Sequence, residues 1–187
     1  MNNALKLTIG QCREFVRSRD DALALPEESA GFAHALVLSR GAKRCLEIGT
    51  SYGYSGLWIG GAAQINDGKL VTIDMDQRKS DIAAAYFADA GLGKVVECMT
   101  GHAADVIPVL EGPFDFVLND ADKENLTTYV EMLGGKLAPH AVILTDNITS
   151  HAGKAAPFVE HMRNHPAFFS TLVPVGSGME LSVYLGG

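Results

Sequence analysis

From residue 44 onward the chain alternates between short apolar runs and helix-forming stretches, and this alternation restricts the fold more than any other feature. The apolar runs lie at 44–48, 69–73, 95–99, 114–118 and 141–145. Each is too short for a helix and carries the Val, Ile and Leu of a buried strand. Between them the pattern turns helical: from about Tyr54, across an alanine-rich stretch at 77–90 that ends near Gly91, and at 104–110, 126–137 and 158–164. Strand, helix, strand, repeated in this way, gives a parallel sheet covered on both faces and joined by right-handed crossovers. Two last runs, 168–173 and 180–185, have only a turn at 175–178 between them, with Gly176 and Gly178. So short a connection makes a hairpin, and one of the two strands must run antiparallel.

The predicted class is therefore α/β: a Rossmann-like doubly wound sheet of seven strands, mostly parallel, with an antiparallel strand in a C-terminal hairpin. Ahead of it, residues 5–19 mix apolar and charged positions at helical spacing. A second helix is expected after Pro26, with Glu27 and Glu28 in its first turn and Phe32, Leu36 and Val37 on its apolar stripe. No repeat or linker divides the 187 residues. They read as one domain, 1–187, made of N-terminal helices at 1–41 and a catalytic core at 42–187.

Charge narrows the partners. The formal net charge is −7, and no basic face is visible to neutralise phosphates, which argues against nucleic acid. Cys12, Cys45 and Cys98 are widely spaced and odd in number, so neither a zinc knuckle nor a disulfide framework is expected. No apolar run has membrane-spanning length, and the first residues lack a signal-peptide core. The expectation is a cytoplasmic enzyme with a small-molecule substrate, no membrane association, and a homodimer left open.

The first strand runs into Glu47-Ile-Gly49-Thr-Ser-Tyr-Gly53-Tyr-Ser55, and the second ends in Asp74 about 25 residues beyond Gly49. Glycines there let backbone approach a ligand, and the helix N-terminus behind them offers free N–H groups. An acid at the second strand end suits ribose hydroxyls. The spacing is GxxxG, not the GxGxxG of a dinucleotide site. Taken singly, these glycines could form a plain turn and Asp74 could cap a helix.

The fourth strand ends in Asn119-Asp120-Ala121-Asp122-Lys123 and the fifth in Asp146-Asn147. In a parallel sheet both ends face the same edge as the glycine loop. Asp120, Asp146 and Asn147 would then meet as oxygen donors, a set suited to Mg²⁺, Mn²⁺ or Ca²⁺ and not to zinc. Alternative readings are a helix cap for Asp122, a solvated lysine for Lys123 and a turn residue for Asn147. His151 either faces the substrate or is an ordinary loop histidine. His34, His140, His161 and His165 are given no role. Tyr52 and Tyr54 are candidates to flank the cleft, and Trp58 is read as core.

The segment Glu47-x-Gly49-x-x-x-Gly53 resembles the first motif of class I S-adenosylmethionine (SAM) methyltransferases. Asp120-Ala-Asp122-Lys123 followed by Asp146-Asn147 resembles the metal-dependent O-methyltransferases related to the caffeoyl-CoA and catechol enzymes, over about residue 42 to the C-terminus. The resemblance implies that Glu47 and Gly49 approach the methionine part of the cofactor and that Ser55 binds its carboxylate. It implies that Asp74 binds the ribose, and that Met75 and the 101–103 segment ending in Ala103 meet the adenine. It places Asp120 beside both cofactor and ion, and makes Asp120 and Lys123 the catalytic pair, with Lys123 accepting the proton of a phenolic or catecholic hydroxyl. The chain departs from the pattern in its short segment before Glu47, in Asn119 where an apolar residue is usual, and in the absence of an acid around Thr171. Two other readings stay open: a metal-independent N-, S- or C-methyltransferase, and a cofactor-binding protein without catalysis.

Overall fold

The computed structural model describes residues 1–186. Two helices come first, α1 (Asn3–Arg17) and α2 (Glu27–Arg40). Asn2 caps α1 by accepting from the Leu5 N–H at 2.8 Å, and the helix buries Leu5, Ile9, Cys12 and Val16 along one stripe. α2 stops where Gly41 turns left-handed at φ 63. The alternation then unfolds as β1 (Arg44–Ile48), α3 (Tyr54–Ile65), β2 (Lys69–Asp74), α4 (Gln77–Asp89), β3 (Val96–Thr100), α5 (Ala103–Val106) and β4 (Phe114–Asn119). It closes with α6 (Leu126–Met132), β5 (Leu137–Thr145), α7 (Ala152–Asn164), β6 (Phe168–Val173) and β7 (Met179–Tyr184).

The strands form one seven-stranded sheet in the order β3-β2-β1-β4-β5-β7-β6. β1 to β5 run parallel, and β7 lies antiparallel between β5 and β6. The predicted class, strand count and C-terminal hairpin all hold. One core packs α1, α2, α3 and α4 against one face, with Leu5, Leu57 and Phe87 buried; the other packs α6 and α7 with Phe114, Tyr129 and Phe158. The winding reverses at β1, which has β2 on one side and β4 on the other, so the crevice at the carboxyl ends of β1 and β4 is the expected ligand position.

Several boundaries differ from the sequence reading, among them the helix expected at 104–110, whose α-helical part ends at Val106. α6 ends at Met132, not Leu137, because Gly134 and Gly135 break it and Leu137 pairs with Phe114 as the first residue of β5. β5 is consequently nine residues long and irregular, with His140 at φ 60. α7 begins at Ala152, well ahead of residue 158, and carries Pro157 inside it. Trp58 is partly buried against the core, but Tyr52 and Tyr54 are buried too and do not flank the cleft. The Tyr52 hydroxyl instead donates to Asp21 at 2.8 Å, pinning the loop between α1 and α2.

Candidate active site

The loops after β1 and β4 touch. Gly49 has φ 108, and a Cβ there would stand 2.5 Å from the Asp120 carbonyl oxygen, so only glycine fits. The Asp120 N–H donates to the Ile48 carbonyl at 3.0 Å, while Gly49 and Thr50 N–H both donate to the Ile73 carbonyl at 2.9 and 3.1 Å. Asp74 accepts from Ser51 N–H at 2.7 Å and from Asp76 N–H at 2.9 Å. It is not the cap of α4: Asp76 is, accepting from Arg78 and Lys79 N–H. Asp74 thus holds the glycine loop by its side chain and keeps lone pairs for a ligand.

A cleft of about 490 Å³ opens above these strand ends, within the size range of small-molecule sites. Toward β2 and β3 its wall contains Gly49, Asp74, Met75 and Ala103. Toward β5 it contains Asp120, Lys123, Asp146 and Asn147. Glu47, Gly53 and Ser55, expected at the cofactor, are not in the wall. Glu47 is fully buried, and its Oε2 accepts from the Thr72 hydroxyl at 2.6 Å. Burial pushes its carboxyl up to about 7, against the pull of the Ser55 and Thr72 hydroxyls. Gly53 turns left-handed at φ 86 to start α3, and Ser55 is buried in that helix's first turn. These three support the loop from behind.

At the other end, Lys123 Nζ donates to Asp120 Oδ1 at 3.0 Å and to the Ala121 carbonyl at 2.9 Å. Asp146 is 1% exposed. Ser177 Oγ lies 2.8 Å from both its oxygens, and Asn147 Nδ2 donates to Oδ2 at 2.9 Å. Burial, reinforced by the charge of Asp146 and opposed by Lys123, pushes Asp120 up to about 6; burial also raises Asp146. Two partly desolvated carboxylates in each other's field favour a cation between them. The amide nitrogen of Asn147 is taken by Asp146 and Ser177, which leaves its oxygen as a third donor. Asp120, Asp146 and Asn147 therefore fit a hard divalent ion.

Ser177 escaped the sequence reading. It sits in the hairpin turn, 31 residues from Asp146, and only the antiparallel placement of β7 beside β5 brings it near. His151, left open between two readings, lines the cleft. So do Leu23 and Ala24 from the short N-terminal segment; Leu23 and Met75 are exposed apolar side chains there, 86% and 72% accessible. Asp122 does not cap α6, whose N-cap is Asn125; it accepts from the Tyr129 hydroxyl at 2.7 Å and orders the β4–α6 loop. Asn119 is fully buried and donates to the Leu126 carbonyl at 3.2 Å, fixing the start of α6.

Known proteins share this fold. A family profile described as O-methyltransferase matches residues 6–170. The chain belongs to the O-methyltransferase family. Within that family it is 34% identical over 132 residues to a catechol O-methyltransferase of Mycobacterium tuberculosis, covering 70% of this chain and 60% of that protein. It is 30% identical over 148 residues to caffeoyl-CoA O-methyltransferase 2 of Zea mays, covering 76% of this chain and 56% of that protein. The matched region thus spans less than two thirds of these curated relatives. Among solved structures, the O-methyltransferase TomG from Streptomyces achromogenes, in complex with SAM, superposes with a TM-score of 0.84 at 30% identity, covering 100% of this chain and 91% of that one. In this O-methyltransferase-family chain no helix among the described residues is long and apolar enough to cross a membrane.

Proposed function

We propose that this chain transfers the methyl group of SAM to a hydroxyl of a small phenolic or catecholic molecule, assisted by a divalent ion, Mg²⁺ in the first instance. The reading is carried by one observation: the loop tips of β4 and β5 bring Asp120, Lys123, Asp146 and Asn147 into the wall of the cleft that Gly49 and Asp74 also line. Gly49 allows the methyl donor to lie against backbone, Asp74 accepts from the ribose, and Met75 and Ala103 cover the adenine. Glu47 and Ser55 act through the loop they support.

A neutral phenol, with a pKa of about 10, is a weak nucleophile at neutral pH. When bound by Asp120, Asp146 and Asn147, the ion supplies Lewis-acid stabilisation of the acceptor's oxyanion. Lys123, in its neutral form, receives the proton that the hydroxyl releases on methylation and then pairs with the Asp120 carboxylate as the ammonium. Ser177 and Asn147 fix the Asp146 carboxylate, so the acceptor is oriented by a rigid frame and alignment supplies much of the rate. Leu23 and Met75 provide apolar cover at the mouth, where an aromatic acceptor and the adenine exclude water.

The test is release of S-adenosylhomocysteine across catechols, flavonoids and other phenols, with Mg²⁺ and with a chelator. Turnover of at least one hydroxylated acceptor is expected, lost on chelation, and reduced at least about a hundredfold in Asp146→Asn with SAM binding retained. Turnover that ignores the chelator would leave a metal-independent methyltransferase. SAM binding with no turnover on the whole panel would leave a binding protein.

A further inference from the structure

Outside the cleft wall, at the C-terminal ends of α6 and α7, three ligating side chains converge. His161 Nε2 lies 2.7 Å from Glu131 Oε1, and His165 Nε2 lies 3.8 Å from the same oxygen. One ligand atom from each of the three residues falls within 4.8 Å of the others. The sequence gives neither histidine a role, because Glu131 precedes His161 by 30 residues and only the packing of α6 against α7 unites them. We propose that Glu131, His161 and His165 form a binding site for a divalent transition metal, with Zn²⁺ as the natural occupant, separate from the methyl-transfer cleft.

The donor chemistry selects the ion. Two imidazoles and one carboxylate suit Zn²⁺ and its neighbours, whereas Mg²⁺ and Ca²⁺ favour oxygen alone. With bonds of about 2.1 Å, the ligand atoms of a tetrahedral site stand roughly 3.4 Å apart, and the two separations to Glu131 lie either side of that value. His161 lies in the last turn of α7 and His165 is the residue that ends it, so the helix terminus brings both rings to Glu131. Their side chains and that of Glu131 are 35%, 27% and 51% exposed, which leaves the fourth position to water.

One feature limits the affinity. Ala167 N–H donates to His165 Nδ1 at 3.1 Å, so the neutral ring carries its proton on Nε2. Metal at Nε2 requires that proton on Nδ1 and gives up this bond. The expected dissociation constant is therefore micromolar, not nanomolar. The ion would tie the end of α7 to α6. His151, in the cleft wall, stands at the opposite end of α7, about 15 Å from His161 along the helix.

The protein is titrated with Zn²⁺ against a chromophoric chelator, in saturating Mg²⁺ so that the oxygen donors of the cleft do not compete. One equivalent is expected to bind. At a hundredfold excess over the dissociation constant the melting temperature should rise by roughly 5 °C or more. His161→Ala and Glu131→Gln should each weaken binding at least about tenfold and abolish the thermal shift, while Asp146→Asn leaves both intact. Glu131 is exposed and Gln keeps its shape, so a loss in that variant reports a ligand, not the fold. No binding in the presence of Mg²⁺, equal binding by His161→Ala and wild type, or loss of binding in Asp146→Asn would each overturn the site.

Discussion

Lys123 and Ser177 hold the two carboxylates of the cleft in different ways, and their removal should separate chemistry from ion binding. Lys123 reaches Asp120 at 3.0 Å with its side chain only 13% exposed. Lys123→Ala is expected to lower kcat by about a hundredfold or more, with the SAM dissociation constant, measured calorimetrically, within about twofold of wild type. Equal losses in both quantities would remove Lys123 from the proton path. Ser177→Ala deletes the hydroxyl that orients Asp146 and should weaken activation by Mg²⁺ roughly tenfold without changing SAM affinity; an unchanged Mg²⁺ dependence would make Ser177 a turn residue only. Asp120, Asp146 and Asn147 were legible because a parallel sheet sends all its strand ends to one edge. Ser177 was not, since nothing local to the hairpin turn marks which strand end it will face. The motif implies that Glu47 approaches the cofactor, yet its side chain meets Thr72 inside the sheet's helical cover and only the loop beyond it lines the cleft.

Among the elements, the strands were easier to read than the helices. β1 and β2 carry runs with no competing interpretation, and their register, Arg44 on Lys69 through Ile48 on Ile73, follows from the parallel βαβ geometry. α6 was overextended because Leu133 and Leu137 continue a helical period that Gly134 and Gly135 interrupt. α7 starts six residues ahead of the expected 158 and runs through Pro157, held by the buried Ala155 and Phe158 on either side of it. The junction that matters for function is between elements: the β1–α3 loop against the β4–α6 loop at Gly49 and Asp120. Gly49→Ala places a methyl 2.5 Å from the Asp120 carbonyl at a backbone φ of 108. It should cost about 1–3 kcal/mol of stability and, because Asp120 must shift, weaken SAM and Mg²⁺ together. Urea unfolding with parallel binding titrations checks this, and full retention of both affinities would show that the two loops move independently.

At the scale of the whole molecule, an interior strand of the sheet carries an ionisable group that the fold keeps out of water. β1 lies between β2 and β4, and Glu47 on it is completely buried, so its proton equilibrium reports global folding and not a local opening. Its folded-state value of about 7 stands above its ordinary 4.5. The folded chain therefore holds a proton that the unfolded chain has released across that interval. The stabilisation is complete below about pH 4.5 and is lost as pH rises through 7, which makes the folded state on the order of 3 kcal/mol less stable at pH 8 than a permanently neutral side chain would allow. Glu47→Gln keeps the acceptor for Thr72 and removes the titration. The variant should unfold at a urea midpoint close to wild type at pH 5 and at a clearly higher one at pH 8. Taking the difference between the two proteins at each pH cancels the histidines and surface acids they share. A gap that stays constant from pH 5 to 8 would mean that Glu47 ionises in the folded sheet as freely as in water, and that the Thr72 and Ser55 hydroxyls fully offset its burial.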